Sequence, residues 1–236
     1  LTLGTTDDME KAYDYAMEVI ESGKFRPIQE EHILVSGEQA KYRDILFTDE
    51  FIFGLYSAQV DAFYKSNFDE SYGVEKILIN KLSDIYGQGT RDLRQTHWFK
   101  TSWGTSYLLK HNADLEYAKE KVRMITLAEM YYIAAECLLR KNDPKAADYF
   151  NAVLESRGLV ALDDRIPAES LTIEKITQER YKEFVGEGQT FFNMKRLNLD
   201  IQAITGEILP AANSIYTVPV PEEEFNYRNE VYDVKQ

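Results

Sequence analysis

Between Tyr86 and Tyr107 the chain sets Tyr86, Trp98, Phe99, Trp103 and Tyr107 among Arg91, Asp92, Arg94, Gln95 and Lys100. Aromatic faces cover apolar surface, and charged or amide groups at their edges fix orientation by hydrogen bonds. That is the chemistry of a binding site. The stretch shows no sustained helical or strand period, and it holds both tryptophans of the chain. Two readings follow. Either Trp98 and Trp103 anchor the segment to a scaffold, or at least one turns its face to solvent. The candidate ligand-binding residues are Trp98, Trp103, Tyr86, Tyr107 and Arg94, although Asp92 and Arg94 serve equally well to pin the loop.

Nothing else in the chain reads as catalytic. His32, His97 and His111 stand far apart, without an i,i+4 or HExxH arrangement, so no metal site is expected. Gly87-Gln88-Gly89 lacks the third glycine and the strand–helix context of a phosphate loop, and is read as a turn. There is no GxSxG, no Walker lysine and no EF-hand series. Carboxylates are too plentiful, 40 acidic against 27 basic residues, for any pair to stand out as an acid and base. The expectation is a non-enzyme without cofactor. From Gln178 to Arg196, Glu179, Arg180, Glu183, Glu187, Lys195 and Arg196 recur at helical spacing beside Tyr181, Phe184 and Phe191. These charges predict ion pairs that lock a helix to its neighbours, with a charged ligand site as the rival reading.

The elements that must hold these groups centre on Arg123–Leu159. Apolar residues at helical spacing from Ile125 to Leu138 occupy so much of the circumference that this helix must be covered on more than one side. Asn142-Asp143-Pro144 breaks the pattern, with Asp143 suited to cap the next helix and Pro144 to open it. A second apolar face runs through Ala146, Tyr149, Phe150, Val153 and Leu154, and Gly158 stops it. Two helices and a tight turn in about 34 residues make a tetratricopeptide-like hairpin, or an ordinary buried one. AYDYAMEVIES (Ala12–Ser22) matches AADYFNAVLES (Ala146–Ser156) at six positions, which favours two copies of the second helix of a repeat. Residues 25–50 read as irregular, DEFIFGLYSAQV (Asp49–Val60) as strand or helix, and 61–111 as a loop-rich insertion. Thr172 caps a further helix with Ile173, Ile176, Tyr181 and Phe184 facing inward, and Pro219-Val220-Pro221 is extended. The fold class is therefore all-α, made of tetratricopeptide-like hairpins with a loop-rich insertion.

A net charge of −13 argues against a nucleic-acid partner. The single cysteine, Cys137, is read as a small buried hydrophobe, and no run approaches the roughly 20 apolar residues that span a bilayer. The chain opens at Leu1 without a signal segment, the expectation for a cytosolic protein or for a mature or truncated piece of a longer one.

The segment order resembles the C-terminal half of the SusD/RagB family of Bacteroidetes outer-membrane nutrient-binding lipoproteins. Arg123, Glu129, Ala135 and Glu136 match the family's first helix motif, and Asn151, Val153, Arg157, Gly158 and Leu159 its second. Glu179, Arg180, Glu183, Phe184, Glu187, Gly188, Met194 and Arg196 match the third, and Pro219, Val220, Pro221 and Glu224 the last. The ending Glu21–Phe25 and the triplet Asp92-Leu93-Arg94 also fit. Thr190 and Asn193 depart from it, standing where the family usually has Arg and Asp. The resemblance implies one SusD/RagB-like domain over 1–236, corresponding to part of a longer surface lipoprotein whose lipid anchor this chain lacks. It implies non-catalytic capture of a nutrient, most often a glycan, and transfer to a SusC-like TonB-dependent transporter. Aromatic faces suit sugars because a pyranose is apolar on its face and polar at its rim. The alternative is a helical-repeat protein-interaction scaffold without a sugar ligand.

Overall fold

The computed structural model describes residues 6–68, 82–87, 90–103, 105–112, 115–202, 207–217 and 221. In chain order the elements are α1 (Thr6–Glu21), α2 (Glu30–Ile33), β1 (Phe51–Tyr56), α3 (Val60–Phe68), α4 (Leu82–Tyr86) and α5 (Leu93–Trp98). Next come β2 (Phe99–Ser102), β3 (Thr105–Leu108), β4 (Lys121–Thr126), α6 (Leu127–Arg140), α7 (Ala146–Ser156) and α8 (Ile173–Glu183). The last are α9 (Gln189–Leu197), β5 (Ile201–Gln202), β6 (Ile208–Leu209) and α10 (Asn213–Tyr216). The chain divides into two compact units, Leu1–Gly188 and Gln189–Gln236.

The first unit is organised around α6, which buries Leu127, Ala128, Tyr132, Ala134, Ala135, Glu136, Cys137 and Leu138. A helix apolar over most of its circumference needs several neighbours, and α1, α7 and α8 all pack on it. Asp143 Oδ1 accepts the Lys145 amide at 2.9 Å, so the turn into α7 is capped by the residue the sequence nominates. Ala146, Phe150, Val153 and Leu154 of α7 are buried against α6. Gly158, at φ +83°, closes the turn where a Cβ would lie 3.1 Å from the Arg91 carbonyl oxygen and 3.2 Å from Leu93 Cγ. Only glycine combines that left-handed conformation with that approach.

Two expectations are corrected here. The helix begins at Leu127, because Lys121–Thr126 is strand β4, paired antiparallel with β1. The ambiguous DEFIFGLYSAQV thereby resolves into β1 and the first residue of α3. The fold is helix-rich but not all-α: among the described residues β1–β4, β2–β3 and β5–β6 form three two-stranded ribbons. Strands of two to six residues contain too few alternations to announce themselves beside long helices. Among its described residues the span 61–111 carries most of α3, then α4, α5 and the β2–β3 hairpin, each too short to show a period.

A second apolar cluster forms away from α6, from Ile28, Ile33, Ile45, Phe47, Tyr64, Phe68, Tyr86, Leu93, Trp98, Phe99 and Leu108. It seats α5 and the inner face of the hairpin. In α8, Thr172 Oγ1 accepts the Lys175 amide at 3.3 Å, as its position before the helix suggests. The inner face of α8, however, is Ile176, Glu179 and Glu183, with Tyr181 outside. In the second unit Arg196 Nη2 donates to Asn193 Oδ1 at 2.7 Å, and the Phe191 ring lies 5.6 Å from that of Tyr216. Pro219, Val220 and Glu224 lie outside the described residues.

Candidate ligand-binding site

The buried glutamates of α8 face a set of cations drawn from distant parts of the chain. Glu183 Oε1 accepts from Arg123 Nη2 at 2.5 Å and Arg157 Nη2 at 2.8 Å. Its Oε2 accepts from Arg157 Nε at 2.9 Å and Arg94 Nη1 at 3.3 Å. Arg157 also forks onto Glu50, at 2.6 and 2.8 Å. Arg94 is clamped by Asp92, with Nη2 2.7 Å from Oδ2, and by Glu179 at 2.7 Å. Lys110 meets Glu187 at 2.5 Å and donates to the Glu183 carbonyl at 2.7 Å. Taking these charges out of water costs several kcal/mol per ion, which is offset best at Glu183, where both carboxylate oxygens accept from two donors each. Burial would raise the Glu183 carboxyl, but Arg157, Arg123 and Arg94 outweigh it and hold that group well below the usual carboxylate range. Burial pushes the Lys110 ammonium down to about 8 against the pull of Glu187. It pushes His111, with Lys110 beside it, down to about 4.

This network corrects three of the sequence-nominated ligand residues. Arg94 is fully enclosed, so its guanidinium has no access to a ligand. Trp98 is 0% exposed, donates Nε1–H to the Ile45 carbonyl at 2.6 Å, and lies beneath Lys110, whose Nζ is 3.9 Å from the ring centroid. Tyr86 is buried with its hydroxyl on the Lys182 carbonyl at 2.9 Å, and burial raises its phenol well above the ordinary value. A ring covered on both faces cannot stack on a sugar. Glu50, Lys110, Arg123 and Arg157 were the partners not foreseen as such. The available signal was charged residues inside apolar helix and strand patterns, which in a folded chain have to meet one another.

The other two nominated residues lie on the hairpin that leaves α5. Pairing of Ser102 with Thr105 leaves two positions for the turn, and Trp103 takes the first, at φ 51°. Two-residue hairpin turns of this hand are the natural place for Asn or Gly, and a bulky aromatic there is an outlier. Trp103 is 98% exposed. Phe99, Ser106 and Leu108 face the interior, so by strand alternation Tyr107 and its cross-strand partner Lys100 turn outward. The hairpin therefore presents one exposed indole from a base fixed by Phe99 and Leu108 in the core. Elsewhere the β1–β4 ribbon exposes Phe53, Leu55, Tyr56, Met124 and Ile125. Among the described residues no cluster of His, Cys, Asp or Glu could hold a metal, and no helix is long and apolar enough to cross a membrane.

A family model described as the SusD family matches residues 55–233, a span that holds Glu183 and the arginines around it. The chain belongs to the SusD family. Solved structures share its fold. A SusD superfamily protein from Bacteroides thetaiotaomicron superposes with a TM-score of 0.71 at 22% identity, covering 93% of this chain and 55% of that one. A SusD-like carbohydrate binding protein from Bacteroides vulgatus gives 0.60 at 20% identity, covering 83% and 43%. Surface glycan-binding protein A from Bacteroides thetaiotaomicron, solved in complex with laminarihexaose, gives 0.60 at 19% identity, covering 96% and 59%. This SusD-family chain thus spans about half the length of these solved relatives. No curated protein matches it in sequence.

Proposed function

We propose that this chain is part of a cell-surface nutrient-binding lipoprotein that captures a glycan without cleaving it. The observation that carries the proposal is Trp103, a nearly fully exposed indole held in a left-handed turn at the tip of an anchored hairpin. Backbone strain at an exposed aromatic is kept where that ring has a use. The indole stacks on the apolar face of a sugar ring, and Tyr107 extends the contact along the hairpin. Arg94, Trp98 and Tyr86 act beneath it as structure. Family membership, and the laminarihexaose complex of the surface glycan-binding neighbour, support a glycan as the ligand class. The captured glycan passes to a SusC-like TonB-dependent transporter at the outer membrane. The α6–α7 pair, with α1 as the second helix of a preceding repeat, is read as tetratricopeptide-like.

A protein-interaction scaffold without sugar ligand is the second reading, favoured by the apolar side chains exposed on the β1–β4 ribbon. Calorimetry of Trp103→Ala against a neutral glycan panel that includes laminarihexaose separates the two. Loss of a stacking anchor costs on the order of 2 kcal/mol, roughly thirtyfold in affinity, with the denaturation midpoint unchanged. Unchanged affinity in a folded Trp103→Ala protein removes the hairpin from the binding site.

A further inference from the structure

A cleft of about 880 Å³ opens between the Pro27–Glu30 segment, α5 and the end of α7, and none of the five sequence-nominated ligand residues lines it. Its volume lies within the range of small-ligand sites, roughly 300–1,000 Å³. We infer that this cleft is a second saccharide subsite, taking a neutral, hydroxyl-rich sugar chain independently of Trp103. The inference rests on the glycan-binding reading above and adds to it a site built on different chemistry.

The floor of the cleft is apolar. Ile28 and Leu93 are buried at its base, and Leu34 and Val160, 54% and 59% exposed, stand at its margins. Such a lining accepts the C–H face of a sugar without an aromatic ring. Most of its charged groups are already committed. Arg91 Nη2 lies 3.2 Å from Asp164 Oδ2, and Glu155 Oε1 lies 2.6 Å from Arg165 Nη2. An anionic ligand would have to compete with Asp164 for Arg91, whereas an uncharged one need not.

The remaining polar groups are suited to hydroxyls. His97 Nδ1 lies 3.2 Å from the Leu93 carbonyl oxygen, which can only accept, so the ring proton sits on Nδ1. Thr96 Oγ1, 2.8 Å away, accepts from the same N–H. Nε2 is then left with a lone pair, and among the described residues it has no partner. Burial, the largest influence, lowers the His97 pKa, so the ring stays neutral and Nε2 stays an acceptor at neutral pH. Gln29 spends one N–H on the Pro27 carbonyl at 3.0 Å and keeps its second N–H and its carbonyl. Glu30 adds an acceptor at the rim. Acceptors and a donor around an apolar floor are what a ring with hydroxyls at its edge requires.

The two sites are read separately by NMR, from the His97 imidazole and the Trp103 indole, both assigned through His97→Leu and Trp103→Ala. The probes are laminarihexaose, cellohexaose, maltohexaose and xylohexaose, each taken to ~10 mM, where a contact of roughly millimolar affinity is largely saturated. At least one hexasaccharide is expected to shift the His97 resonances. In the Trp103→Ala background, calorimetry with that sugar then reads the cleft alone. There His97→Leu, and Val160→Trp at an exposed margin, each weaken binding about tenfold, or ~1.4 kcal/mol. A responding indole with a silent His97 overturns the cleft and leaves the hairpin reading standing. A responding His97 with a silent indole supports the cleft and refutes the hairpin. Silence of both toward all four sugars overturns the cleft and the hairpin together.

Discussion

Trp98 and Trp103 stand five residues apart in a stretch of uniform aromatic and basic composition, and the fold gives them opposite surroundings. Trp98 closes α5 over the second apolar cluster, with Phe47 at 5.1 Å on one side and Lys110 near the other. Its one polar atom is satisfied by the Ile45 carbonyl. Trp103 lies beyond four residues of strand, at a turn no described element covers. Residue type is the same in both, so partner supply decides: a cation for the ring face, a carbonyl for the N–H and apolar neighbours at the edge. Where all three exist an indole becomes architecture, and where none exists it stays exposed at the surface. The buried ion network extends the same lesson, since it fixes the base from which the exposed indole projects.

The largest effect is expected from removing the centre of that base. Glu183→Ala leaves Arg94, Arg123 and Arg157 short of their shared acceptor. Stripping one partner from such a buried cluster costs about 3–5 kcal/mol. Urea denaturation monitored by tryptophan fluorescence is expected to show a midpoint far below that of the parent chain. An unchanged midpoint would mean that the network does not hold the base. Trp98→Ala comes next, at about 3 kcal/mol or more for the cavity beneath Lys110. Trp103→Ala is expected to leave the midpoint where it was. If the two tryptophan variants lose equal stability, the contrast between inner and outer indole fails.

Much of this contrast was out of reach of the sequence, for a physical reason. The α6–α7 hairpin was legible because helical burial recurs every three to four residues over long stretches, and Ala134, Ala135, Leu138, Ala146, Phe150 and Val153 are buried accordingly. The acidic face of α8 was legible as architecture because charges beside Phe184 have to find partners. That Glu179 and Glu183 turn inward, and which cations they meet, was not, because the partners come from distant parts of the chain, with residues 94, 123 and 157 on Glu183 and residue 50 sharing Arg157. Trp98 and Trp103 could not be told apart for the same reason. Local composition is alike, and only the three-dimensional arrangement supplies Ile45 and Lys110 to one of them. The strands were hidden by their brevity, and with them the hairpin turn that singles out Trp103.

Acid tests the base in a graded way. His111 is held down to about 4, with Lys110, Arg123 and Glu187 around it, while an unfolded chain protonates it near the ordinary 6.5. Between those values the unfolded state binds the extra proton, so stability falls as pH drops through this window, by up to roughly 3 kcal/mol. Glu183 has a depressed folded value, so its contribution is fully present above the ordinary 4.5 and is lost as pH falls below it. Denaturation midpoints taken in steps from about pH 7 to about pH 4 should decline along the way and steepen at the acid end. His111→Gln should flatten the upper part of that decline and leave the lower part. A profile unaltered by the substitution would place the acid-sensitive group elsewhere.

The smallest effect carries the opposite sign and bears most directly on function. Trp103 holds φ 51° although its side chain gains almost no burial in return. A left-handed backbone costs a bulky L-residue about 1–2 kcal/mol, whereas asparagine tolerates it through its short polar side chain. Trp103→Asn is therefore expected to stabilise the chain by ~1 kcal/mol while weakening glycan binding as severely as Trp103→Ala. The measurement pairs a denaturation midpoint with a calorimetric titration on the same protein. A gain in stability with a loss in affinity identifies the tryptophan as a residue retained against the preference of its own backbone. A loss of stability would instead show that the indole is held by contacts in the folded state, and would return Trp103 to the same structural class as Trp98.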